Sequence, residues 1–123
     1  MRKFDVKEVG EEFDGYIGFE PLFFEEKLEH GETIASFADE NPQNNPDWAN
    51  KSDEEKSRIL QSTMISMMKK LFPIVKQKIV KVEVSRGEKK YTCLDHLSMD
   101  PATHPILSKF ITYYAQNMSL GNE

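Results

Sequence analysis

Residues 79–94 constrain the fold more than any other stretch. Ile79-Val80-Lys81-Val82-Glu83-Val84 leads into the turn Ser85-Arg86-Gly87-Glu88, and a second run follows from Lys89 to Leu94. Val80, Val82 and Val84 fall on one side of an extended chain, with Lys81 and Glu83 on the other. That period of two is the mark of a half-buried strand, so the segment predicts a β-hairpin with one apolar face. A lone hairpin is barely stable in water. Its valine face needs a covering layer, and the flanking segments offer one.

On the amino-terminal side, Ser52-Asp53-Glu54-Glu55 is a capping box. Ser52 can accept from the Glu55 N–H while the Glu55 carboxylate reaches back to Ser52. The early acids also suit the positive end of a helix dipole. Leu60, Met64, Met67, Leu71 and Val75 then recur at spacings of three and four, and Ile59, Met68 and Phe72 widen the stripe. The pattern predicts a long helix over 53–72, ended or kinked by Pro73. Beyond the hairpin, Asp95 to Asp100 reads as a short connection. Asp100-Pro101 looks like a helix N-cap and its first residue, and Thr103-His104-Pro105 offers a second start. Ile106, Leu107, Phe110, Ile111, Tyr114 and Met118 form an apolar stripe over a helix at 105–119, with Gly121 as its stop.

The first half of the chain is less regular. Phe4, Val6 and Val9 alternate, Gly10 to Gly15 turns, and Tyr16 to Leu22 reads as a second strand whose Pro21 marks an edge or an end. Residues 2–22 are therefore expected to add a hairpin or two short strands. Phe24, Leu28, Ile34 and Phe37 suggest two short helical turns broken at Gly31. Residues 41–50 form a polar loop around Asn41-Pro42-Gln43-Asn44-Asn45-Pro46-Asp47, with Trp48 as its anchor. The sum is one α+β domain: a small antiparallel sheet from 2–22 and 79–94, packed by helices at 53–72 and 105–119.

Composition narrows the function classes. The chain has 123 residues, one domain by size. Its eight Phe, four Tyr, one Trp and six Met are too much apolar material for a disordered chain, although the apolar share is only 38%. Twenty-one acids against 16 bases give a net charge of −5. A non-specific nucleic-acid binder usually carries a net basic domain. Lys69, Lys70, Lys76, Lys78, Lys81, Lys89 and Lys90 form a basic band, but no motif joins them to Tyr91 or Tyr113-Tyr114 as a base-stacking platform. The chain opens on Met1-Arg2-Lys3-Phe4-Asp5 without an apolar signal core, and no run of eighteen apolar residues occurs, so no membrane association is expected. An intracellular protein follows from that reading. Cys93 stands alone and reads as a small buried hydrophobe.

No constellation of residues writes out a chemistry. His30, His96 and His104 fit no metal spacing. His96 lies near Cys93 and Asp95, yet closeness in sequence does not make a catalytic pair; a structural cysteine and a surface histidine are the plainer reading. Glu25, Glu26, Glu29 and Glu32 could serve a divalent cation in a small hydrolase or nuclease; the plainer reading is the solvated face of a short helix. Gly15-x-x-Gly18 is too short for a dinucleotide site. The expectation is a protein that is not an enzyme and needs no cofactor. Met64, Met67 and Met68 on one helix fill a core or present an adaptable face to a partner. Together with Tyr113 and Tyr114 they are the candidate interaction residues. Homo-oligomerisation is the simplest use of either helix.

The order of parts resembles the small tail assembly chaperones of long-tailed bacteriophages. The likeness rests on four stretches: Phe19-Glu20-Pro21-Leu22-Phe23-Phe24-Glu25-Glu26-Lys27 after a short β segment; Val80-Lys81-Val82-Glu83-Val84-Ser85-Arg86-Gly87; Leu94-Asp95-His96-Leu97-Ser98-Met99-Asp100 before the last helix; and the closing Asn117-Met118-Ser119-Leu120-Gly121-Asn122. The Asn41–Asp47 loop has no counterpart in that pattern. The resemblance implies an assembly factor in the cytoplasm of an infected bacterium. It would coat the tape measure protein, recruit tail tube subunits and leave before the virion is finished. It implies no catalytic residues. A structural accessory protein of the tail or capsid, and a small phage-encoded inhibitor of a host protein, are the alternatives of similar size and charge.

Overall fold

The computed structural model describes residues 1–39 and 42–118, without the side chains of residues 35–39 and 118. The expectations for Phe37, Asn41, Met118 and Gly121 lie outside the described residues. The fold is α+β. Its sheet has four antiparallel strands in the order β1 (Arg2–Asp5), β2 (Phe13–Phe19), β3 (Ile79–Arg86), β4 (Lys89–Tyr91). Strands neighbouring in the sheet follow each other along the chain, and helices α1 (Phe24–Asp39) and α2 (Asp53–Val75) are inserted between β2 and β3. Helices α3 (Leu94–Met99) and α4 (His104–Met118) close the chain.

One face of the sheet is solvated. Lys3 lies over the Tyr16 ring, 4.5 Å from its centroid, and Lys81 pairs with Glu83 at 3.7 Å. The other face carries Phe4, Ile17, Phe19, Val82, Val84 and Tyr91 into the core. Helix α4 lies against it with Ile106, Phe110 and Tyr114, and α2 adds Leu71 and Val75. Aromatic edges bind the layers: Phe110 meets Phe4 at 5.4 Å and Phe19 at 5.3 Å, both edge to face. Such contacts add about 0.5–1.5 kcal/mol each beyond area burial.

The hairpin forms where its sequence places it, with two changes. Val80 does not share the inward face of Val82 and Val84; it is 53% exposed. The cause is a bulge: Gly18 pairs with Lys81 but Phe19 pairs with Ile79, so Val80 is the extra residue and the alternation restarts after it. The second strand also stops at Tyr91 rather than Leu94, because Leu94 begins α3. Gly87 takes φ +62 at the first of two turn residues, the glycine-first pattern of a type II′ hairpin turn.

Three further expectations are corrected. Gly31 does not break α1, which runs unbroken and buries Gly31 and Ile34; packing offsets the cost of about 1 kcal/mol for an interior helical glycine. Pro73 does not end α2 at residue 72: the helix continues to Val75. Pro73 is exposed and sits in the last turn, so its missing N–H frees a carbonyl on the wet side of the helix. Cys93 is exposed rather than buried, because it precedes α3 at the surface. Both predicted caps accept a backbone N–H, Ser52 as the forward half of its capping box. Ser52 accepts from the Glu55 N–H at 3.2 Å, and Asp100 accepts from the Ala102 N–H at 3.0 Å, capping a 3-10 turn (Pro101–Thr103) that runs into α4.

Candidate protein-docking groove

Helices α2 and α4 pack against each other, but not along their full lengths. No residue of α2 between Asp53 and Lys70 is buried. Leu71 and Val75 reach the core; Leu60 and Met64, three and two turns earlier on the same stripe, are 39% and 50% exposed. The stripe that is core in the second half of α2 therefore runs on, uncovered, through the first half.

Beneath it lies a groove with two stretches that share Ser108. The first, about 480 Å³, places Met64 opposite Phe4, Val9 and Tyr113, with Glu8 and Lys109 at its rim. The second, about 410 Å³, is lined by Met68, Phe72, Leu107 and Ile111, with Lys69 and His104 at its rim. The His104 imidazole Nε2 lies 2.7 Å from the Ser98 carbonyl oxygen, which fixes the end of α3 to the start of α4.

The five candidate residues divide accordingly. Met64, Met68 and Tyr113 line the groove. Met67 packs half-buried against the core and belongs to its edge. Tyr114 is corrected: it is fully enclosed, its hydroxyl donates to the Glu20 carbonyl at 3.0 Å, and burial raises its pKa well above the ordinary tyrosine value. One residue around the helix separates the two tyrosines, and that step of about 100° turns one to the groove and the other to the core. Tyr113 keeps contact with the core through Phe4, 5.2 Å away.

A second apolar patch escaped the sequence reading. Phe23, Phe24 and Leu28 are all exposed at the start of α1. Phe24 and Leu28 are four residues apart, a spacing that reads equally as a core-facing stripe. Beside them Glu26 accepts from the Phe23 N–H at 2.9 Å and pairs with Lys78, whose ammonium also lies 4.2 Å from the Phe23 ring centroid. The Lys78 hydrogen bond holds the Glu26 carboxyl below its ordinary pKa. Glu26 is thus spent on a structural pair. Among the described residues, no three His, Cys, Asp or Glu side chains gather as metal ligands. His96 does not turn to Cys93; its Nδ1 accepts from the Thr92 N–H at 3.1 Å, closing the start of α3.

The third notable cluster centres on Asp100. Its carboxylate accepts from the Tyr91 hydroxyl at 2.6 Å and from Lys89 at 2.9 Å, besides the Ala102 N–H. Those donors, Tyr91 first, hold its pKa far below the ordinary aspartate value. The cluster ties β4 to the turn before α4, and so holds the α4 wall of the groove against the sheet. Among the described residues, no helix is long and apolar enough to cross a membrane. No family model matches the chain, and neither a curated protein nor a solved structure matches it.

Proposed function

We propose that the protein is a non-enzymatic tail assembly chaperone of a long-tailed bacteriophage, which holds an apolar segment of the tape measure protein in the α2–α4 groove and recruits tail tube subunits. The observation that carries the binding role is the uncovered continuation of the core stripe at Leu60 and Met64 above an apolar groove. Contiguous exposed apolar surface marks interaction sites, and methionine-lined faces re-pack around varied partners. A groove between two helices suits an amphipathic helix that inserts residues at spacings of three and four. The choice of partner rests on the resemblance of the sequence to that family.

The test is co-purification with the tape measure protein, coupled to mass spectrometry of mature particles. Retention of the tape measure protein, and absence from purified particles, is the expected result. Stoichiometric presence in virions rejects the chaperone reading in favour of a structural accessory protein. Failure to bind either leaves the inhibitor of a host protein as the surviving reading.

A further inference from the structure

We propose that the second stretch of the groove is a site of its own for a small monocarboxylic acid with an apolar chain or ring, oriented by Lys69 and His104 at its rim. Such a site would exist whatever partner the first stretch binds, and it uses a different length of α2 from the bare stripe at Leu60 and Met64.

The core fixes the walls of this bay. Met68 and Phe72 of α2 pack half-buried against it, as does Leu107 of α4, and Ile111 is only 4% exposed. Met68, Lys69, Phe72 and Pro73 fall within about 140° of the α2 circumference, and His104, Leu107, Ser108 and Ile111 within about 100° of that of α4. Each helix therefore turns one continuous side to the bay. Helix α3 adds Ser98, whose carbonyl accepts from the His104 Nε2–H at 2.7 Å, so three helices enclose the end nearest the start of α4. The volume of about 410 Å³ and the apolar lining with a few polar groups are those of small-molecule sites.

The polar groups are of one sign. Lys69 and His104 are the ionisable residues of the lining, and no acid joins them, in a chain with 21 acids against 16 bases. The first stretch differs, since Glu8 stands there with Lys109. Among the described residues Lys69 makes no ion pair. His104 gives its Nε2 proton to Ser98 and keeps Nδ1 as a second hydrogen-bonding position. One ammonium and one imidazole suit a single negative charge. A phosphate, with its second charge and third oxygen, is held best by an arginine fork, and no arginine lines the bay. Because Lys69 is exposed, its pairing contributes little by itself. The apolar body supplies the affinity, and the cation sets the orientation and the preference for acid over alcohol.

Octanoate titrated into the full chain, followed by backbone amide NMR, tests the site, with octan-1-ol as the uncharged counterpart. The expected result is saturable shifts at Phe72, Leu107 and Ile111, with the alcohol binding about fivefold more weakly than the acid. Lys69→Gln should remove that difference, while Lys90→Gln, a cation lost from β4, should keep it. Lys69 is exposed, and an unchanged melting temperature shows that its variant folds. Several results overturn the proposal: no saturable shift, shifts gathered at Phe23, Phe24 and Leu28 instead, equal affinity for acid and alcohol, or a preference for the acid that survives Lys69→Gln. Shifts at the same three amides from a tape measure peptide but not from octanoate would assign the second stretch to that partner, leaving the proposed function standing while this inference falls.

Discussion

At the scale of single residues, Asp100 and Gly15 show how local chemistry sets the frame that the groove depends on. Asp100 is only 17% exposed and accepts three hydrogen bonds. Its folded pKa lies below the unfolded value of about 3.9. The stability it contributes is therefore fully present above pH 4 and is lost as pH falls through the folded value, where unfolding takes up a proton. Asp100→Asn should melt below wild type at pH 7, and the gap should narrow as pH is taken below 4. A gap that stays constant with pH would show that the charge is not what matters. Gly15 has φ +103, and a Cβ there would collide with the Glu83 carbonyl oxygen across the strand pair. Gly15→Ala should cost on the order of 1–3 kcal/mol in strain, read as a lower denaturation midpoint. The two residues differ in how far the sequence exposes them. Asp100-Pro101 announces a cap because capping is local. Its partners Tyr91 and Lys89 stand nine and eleven residues away, on a strand that only the fold brings alongside.

At the scale of elements, periodicity was a good guide wherever the element met a flat surface. β3 alternates as its valines require, except at the bulge, where Val80 turns outward. A bulge leaves no pattern in one strand alone, since it is a mismatch between two. Helix α2 was legible from its capping box and stripe, but the stripe says nothing about where the covering layer stops. That is why Leu71 and Leu60, alike in pattern, differ in burial. α1 was misread for the opposite reason: glycine is a local breaker, and tertiary packing overrode it. Two expectations separate these elements experimentally. Val82→Asp puts an unpaired charge on the buried hairpin face, at a cost of several kcal/mol. Domain stabilities are on the order of 5–15 kcal/mol, so the variant should lose its cooperative thermal transition; a fully folded variant would contradict the burial of Val82. Limited proteolysis should cut first within Asn41–Trp48, before any cut in α2. Trp48 is half-buried, with Lys56 5.9 Å from its ring centroid, so the anchor side of the loop should resist longest.

At the scale of the whole molecule, the groove is what the elements leave unfinished. Sheet, α4 and the second half of α2 satisfy one another, while the first half of α2 carries apolar side chains past the edge of that core. Sequence reading named Met64, Met68 and Tyr113 because methionines and tyrosines recur on two helices. It could not separate Tyr113 from Tyr114, nor see that Phe4 and Val9 complete the wall, since those contacts join opposite ends of the chain, as Tyr114 does with Glu20, 94 positions away. If the groove serves binding, function and stability should come apart at Met64. The residue is half exposed and supports nothing in the core, so Met64→Asp should change folding stability by no more than about 1 kcal/mol. The same charge would stand in the middle of the apolar floor, where an anchor has to lose its water. Affinity for the tape measure protein should fall at least about tenfold, measured by titration against the purified segment that co-purifies with the wild type. Tyr114→Phe supplies the contrasting case: it removes the hydrogen bond to the Glu20 carbonyl, and should lower the melting temperature while leaving the affinity unchanged. If Met64→Asp binds as wild type does, the exposed stripe is not the docking surface, and the aromatic patch at Phe23, Phe24 and Leu28 becomes the face to test.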